Sequence, residues 1–280
     1  MSRVLQAPRA GPRLGAAPAG PTVRDTVHAE WTKQRTSPGT FWLLAGLIAM
    51  TVAVSVAAVA ATRCPAVGCG QDPAKVTFTG TYLGQAVVAV LAVLSAGTEY
   101  STGMIRTTLA AMPRRTTVLA AKAAVVTGLV LAAGAIAVLG CLLAGRLVLP
   151  GHGFTAAHGF APLSLGTGPV LRATAGSALY LGLIGLLSLG IATVVRDSAV
   201  AIGIVLGLLY LFPIVAALVT DPNFARHLQQ AGPMTAGLDI QATTGLHGLP
   251  LSPWAGLGVL AAWAAGAMLA GALLLRLRDA

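Results

Sequence analysis

Charge is what this sequence has least of. Only 9% of its 280 residues are Asp, Glu, Lys or Arg, where a soluble domain carries about 25%. With 56% hydrophobic residues and a mean hydropathy of +0.81, that excludes a water-soluble globular fold. Aromatic residues are scarce too, at 5%. The apolar bulk is therefore Ala, Leu, Val and Gly, and small residues let helix backbones approach closely in lipid. Eight acidic residues stand against 18 basic ones, a formal net charge of +10. In a soluble protein that excess would suggest nucleic acid. Here most basic residues lie beside apolar runs, so the excess reads as membrane topology, and no nucleic-acid partner is expected. Arg outnumbers Lys fifteen to three, a bias of GC-rich coding that points to a bacterium.

Catalytic equipment is missing as well. No GxxxxGK[ST] occurs, so the chain has no P-loop of its own. The inner two-thirds of each apolar run holds no Asp, Glu, Lys or Arg, and charge at that depth is costly and rarely accidental. The histidines, His28, His152, His158, His227 and His247, all fall outside the runs. Ser177 and Ser188 lie within one, but no histidine there can serve them as base; hydrogen bonding to a helix backbone is their expected role. Neither an enzyme nor a resident cofactor or metal is expected. Of three cysteines, Cys64 and Cys69 bracket a four-residue gap between the first two runs. A disulfide is favoured there over a metal, which would need further ligands nearby. Cys141, inside a run, reads as a small packing residue.

What is present is a series of long apolar runs. A bilayer core of about 30 Å takes about 20 residues per helical span, and six candidates fit: 41–61, 78–98, 118–145, 170–195, 198–220 and 254–275. The second is the most polar, and the third is longer than a bilayer needs, so it should tilt or project. With the amino terminus inside, 13 basic residues fall on the inner side and five on the outer, as the positive-inside rule requires. Both termini are expected in the cytoplasm of a multi-pass plasma-membrane protein. A signal peptide is disfavoured, because its basic region would be forty residues long.

The expected fold is thus all-α, a polytopic membrane protein of six helices in a domain covering 38–280. Residues 1–21, rich in Pro and Arg, are expected to be a disordered cytoplasmic tail. Residues 22–37 read as an amphipathic interfacial helix: Thr22 and Asp25 have capping-box spacing, and Val23, Val27 and Trp31 recur every four residues among basic ones. Trp31, Lys33 and Arg35 are its expected membrane-surface anchors, and Pro38-Gly39 separates it from the first span. Gly203 and Gly207 form a GxxxG that would mark a close helix crossing. Pro213 follows in the same span. Two long segments, 147–169 and 221–253, exceed tight turns, and 224–230 suits a brief helix under or on the outer surface.

The segment 98–115 is the most informative. It holds the one Glu near the end of a span, Glu99. Ile105, Leu109 and Met112 fall at i, i+4 and i+7, one apolar face of a short helix. Pro113 ends it, and Arg114-Arg115 anchor the return to the membrane. Such a helix is either a topology anchor or a docking element, and the residues alone do not choose.

At this segment the sequence resembles a family. Glu99-Tyr100-Ser101-Thr102-Gly103-Met104-Ile105-Arg106-Thr107-Thr108-Leu109, then Pro113-Arg114-Arg115 and Lys122, is similar to the signature loop of type-2 exporter permeases of the ATP-binding-cassette class. Residues 29–36 (AEWTKQRT) resemble the connecting helix of that family, Arg196-Asp197-Ser198-Ala199 its turn between spans four and five, and Ser252-Pro253-Trp254 and Arg278-Asp279-Ala280 the two ends of its last span. Met104 and Ser37-Pro38-Gly39 depart from the usual pattern. The resemblance implies a permease subunit of an exporter, paired with a second permease subunit and driven by separate cytoplasmic ATPase subunits that bind the ATP and Mg. It implies that Glu99, Gly103, Ile105, Arg106 and Leu109 contact the ATPase, and that spans two and five line the pathway. The largely apolar lining suits an amphipathic or lipid-like cargo. The alternative is a non-transporting membrane scaffold or sensor of the same fold.

Overall fold

The computed structural model describes residues 22–64, 70–101 and 115–277. These form ten α-helices, the short α3 (Pro73–Thr77) among them, and four short 3-10 turns, with no strand among the described residues. Six helices are long and apolar enough to cross a membrane: α2 (Pro38–Ala61), α4 (Thr81–Ser101), α5 (Arg115–Val148), α6 (Gly168–Val195), α7 (Ser198–Leu218) and α10 (Pro253–Leu277). Each expected span is found. α4 has the lowest mean hydropathy of the six, 1.5. α5 runs 34 residues, about 51 Å at 1.5 Å per residue, well over a bilayer core.

α6 is the central helix. It packs against α4, α5, α7 and α10, and 61% of its most apolar stretch is buried, against 22% for α2, α7 and α10. Its small residues permit this. A Cβ added at Gly190 would lie 2.6 Å from the Ala267 carbonyl carbon and 2.7 Å from the Met268 nitrogen, so the α6 and α10 backbones touch. No described helix of this chain crosses at the Gly203–Gly207 pair, where a Cβ at either glycine meets no atom within 4 Å among the described residues. Outward positions carry large apolar side chains, including Trp42, Met50, Leu143, Leu211 and Leu269. That surface suits lipid rather than water.

The first helix differs from expectation. α1 (Val23–Thr36) is present, with the Thr22–Asp25 capping box formed, and it stops before Pro38, which opens α2. An amphipathic interfacial helix is not supported. The stripe that α1 buries is polar, Thr26, Glu30 and Gln34, while Val23 and Trp31 are exposed among Arg24, His28 and Arg35. Buried groups on the neighbouring helices need ionic partners, and those partners outweigh the apolar residues in choosing the face.

The two long connections are ordered. In 149–159 the Cys64 amide donates to the His152 carbonyl at 2.8 Å. Between α7 and α10 lie α8 (Pro222–Ala231) and α9 (Pro233–Leu238). Their shared corner sits deep. Trp263, ten residues into α10, donates its Nε1–H to the Ala231 carbonyl at 3.0 Å. A Cβ on Gly232 would lie 2.9 Å from the Phe212 Cβ, six residues before the end of α7. The pair is therefore a hairpin that turns back against α7 and α10, its corner held by the Trp263 indole and packed on Phe212. The brief helix foreseen at 224–230 is α8, directed inward.

Candidate functional site: a buried ion cluster where three helices end

The end of α4, the start of α5 and the last turns of α1 meet at one end of the bundle. Lys122 of α5 is 4% exposed. Its ammonium donates to Glu30 Oε2 at 2.7 Å, to Glu99 Oε1 at 2.6 Å and to the Ser95 carbonyl at 3.1 Å. An ammonium has three donors, and all three are used. Lys33 of α1 also donates to Glu99 Oε1 and lies 3.9 Å from Glu30 Oε1. Two carboxylates and two ammoniums thus share one site of zero net charge, with Glu30 and Glu99 almost fully buried.

A buried ion pair is held at the cost of desolvating both charges. Replacing it with well-packed apolar groups is often neutral, whereas removing a single partner is strongly destabilising. The cluster therefore adds little net stability, but it fixes which helices meet and in what register. Neighbouring contacts extend it. Thr40 of α2 donates to Gln34 of α1 at 2.9 Å. The Arg196 guanidinium lies over the Tyr100 ring, 5.6 Å from its centroid. Asp197 caps α7 by accepting from the Val200 amide at 2.8 Å, and a Cβ on Gly97 would strike Ser198 Oγ at 2.0 Å. Arg115 donates to the Leu275 carbonyl at 3.0 Å, tying the start of α5 to the end of α10. The side chains flanking residues 102–114 are thus bound to α1, to the α6–α7 turn and to the end of α10.

The sequence-derived site residues divide accordingly. Glu99 is at the centre of the cluster. Gly103, Ile105, Arg106, Leu109 and Arg114 lie outside the described residues. Trp31 and Arg35 are exposed on α1, Lys33 is engaged by Glu99, and Arg115 by Leu275. Cys64 is disulfide-bonded; Cys69 lies outside the described residues. Cys141 is free and buried, its Sγ 3.6 Å from the Thr51 carbonyl. Ser177 and Ser188 donate to the carbonyls of Ala173 and Ile184 in their own helix.

Glu30, Lys122 and Ser95 were not foreseen as site residues. A signal was there: the chain has only two glutamates and three lysines, and both glutamates and two of the lysines meet here. The third lysine, Lys75, pairs with Asp239 at 3.7 Å at the opposite end. There burial lifts the Asp239 carboxyl above the ordinary range, with Lys75 opposing. On α1 the hydrogen bonds from Thr22 hold exposed Asp25 below it. Among the described residues no group of three His, Cys, Asp or Glu is placed to hold a metal ion. No family model matches the chain, and no curated protein matches it.

Proposed function

We propose that this chain is the permease subunit of an ATP-binding-cassette exporter of a bacterial plasma membrane, driven by a separate ATPase that docks on the segment beginning at Glu99. The observation that carries the reading is the Lys122 ammonium, which binds Glu30 and Glu99 together. It joins the two spans that flank the segment similar to the family's signature loop to the helix similar to the family's connecting helix. A docking partner can bias a permease only through a contact that differs between its two states. A load applied to 102–114 would be shared by α1, α4 and α5 through the cluster. In this reading the cluster end and both termini face the cytoplasm, two permease subunits pair, the ATPase holds ATP and Mg, and the cargo is an amphipathic or lipid-like molecule.

The test is co-expression with any soluble Walker-A protein found encoded beside the gene. The complex is expected to co-purify, and the permease to stimulate ATP hydrolysis and export. A well-expressed Gly103→Arg protein is expected to lose coupling, since a long cation replaces the smallest residue of the docking segment. Normal coupling in that variant overturns the docking role. An intact permease that captures no ATPase favours the scaffold or sensor instead.

A further inference from the structure

A groove of about 860 Å³ opens sideways between α6, α7 and α10. Its walls are almost wholly apolar, with Leu187 and Val195 from α6, Ile204 and Leu208 from α7, and Ala262 and Gly266 from α10. The small residues of α10 hollow it out. A Cβ at Gly266 meets no atom within 4 Å among the described residues. Along α10 the lining runs from Val259 to Ala270, about 16 Å of helix and close to half of a bilayer core of about 30 Å. One end lies near the last residue of α6. The other is lined by Gln230 and Ala231 at the corner of the α8–α9 hairpin, pinned there by Trp263.

The approach to the hairpin end is charged. Arg226 and His227 stand one turn before Gln230 and Ala231, on the same side of α8, and both are exposed. Arg226 has no ion-pair partner among the described residues. The carboxylate preceding α8, Asp221, accepts from the Asn223 amide as the helix cap. An unpaired guanidinium is a planar fork suited to phosphate or carboxylate, and here it stands one turn from the hairpin end of the apolar groove.

We propose that this groove is a binding site for a long-chain acidic membrane lipid, its anionic head on Arg226 and its acyl chain lying past the hairpin tip between α6, α7 and α10. The inference deepens the export reading by naming a cargo class and a point of lateral entry. Binding needs neither nucleotide nor ATPase, so failure here leaves the coupling experiment standing, and the reverse holds too.

The experiment uses the full chain in phosphatidylcholine nanodiscs and an oleoyl lysophosphatidic acid carrying a diazirine near the chain terminus, against the same chain on a phosphocholine head. Photolabelling mapped by mass spectrometry is expected to concentrate on the groove-lining residues of α6 and α10, with the acidic head favoured. Arg226→Gln should weaken that preference about tenfold, as loss of one charge-assisted contact does. Gly266→Phe, which fills open space, should abolish groove labelling, and Ala262→Phe should repeat the effect. Labelling spread evenly over lipid-facing residues such as Leu143 and Leu269, and unchanged by Gly266→Phe, overturns the site. Groove labelling that is indifferent to headgroup and to Arg226→Gln overturns the acidic-lipid assignment.

Discussion

Lys122 shows at the scale of a residue why charge is tolerated in this bundle. An ammonium out of water needs every donor satisfied and its charge matched. Glu30, Glu99 and the Ser95 carbonyl do both, and Lys33 balances the second carboxylate. Removing Lys122 alone leaves two buried carboxylates facing one ammonium. Lys122→Met is therefore expected to cost about 3–5 kcal/mol, read as a lowered thermal midpoint of the detergent-solubilised or nanodisc-held protein. The quadruple change Glu30→Gln, Lys33→Gln, Glu99→Gln, Lys122→Met removes all four charges together and should recover much of that loss. A single variant as stable as the wild type would mean that the ammonium is solvated and the cluster is not the joint described here.

Among the elements, α6 and α7 behave oppositely although both carry glycines. Gly190 of α6 lies against the α10 backbone, whereas Gly203 of α7 faces open space. Gly190→Ala should force α6 and α10 apart and destabilise the fold by about 1–3 kcal/mol. Gly203→Ala should be neutral or stabilising by up to about 1 kcal/mol, because alanine forms helix better than glycine. Paired thermal denaturation of the two variants decides this, and equal effects would place the crossing elsewhere. The sequence showed that glycine was plentiful but not which glycine was crossed, because the choice depends on what the facing helix presents. The spans themselves were legible, since length and apolarity are local properties and a bilayer selects on both. The buried face of α1 was not. Val23 and Trp31 carried the visible periodicity, but Glu30 is paired by Lys122, 92 positions away, and only the fold brings the two together. The hairpin was half legible: Pro222 and Pro233 announce helix starts, but nothing local says that the backbone will dip beside Trp263.

For the molecule as a whole, electrostatics favours one end of the bundle for the cytoplasmic side. The cluster end gathers the starts of α2, α5 and α7 and the ends of α4, α6 and α10. The sequence places 13 of its 18 basic residues on that side and five on the other. The potential felt by a folding membrane protein retains basic flanks on the cytoplasmic side. Inside the bundle, the Glu30–Lys122 and Glu99–Lys33 pairs cancel locally, so the asymmetry rests on the arginines of the sequence. Two positions report it. Ala199 is exposed at the cluster end and His247 at the opposite end. Cys141 is buried and Cys64 disulfide-bonded, which keeps background labelling of both low. In intact cells a membrane-impermeant maleimide is expected to label His247→Cys, and Ala199→Cys only after permeabilisation. Labelling of Ala199→Cys in intact cells would put the Glu99 segment outside, beyond any cytoplasmic ATPase, and the export proposal would fall with it; the six-span fold would stand.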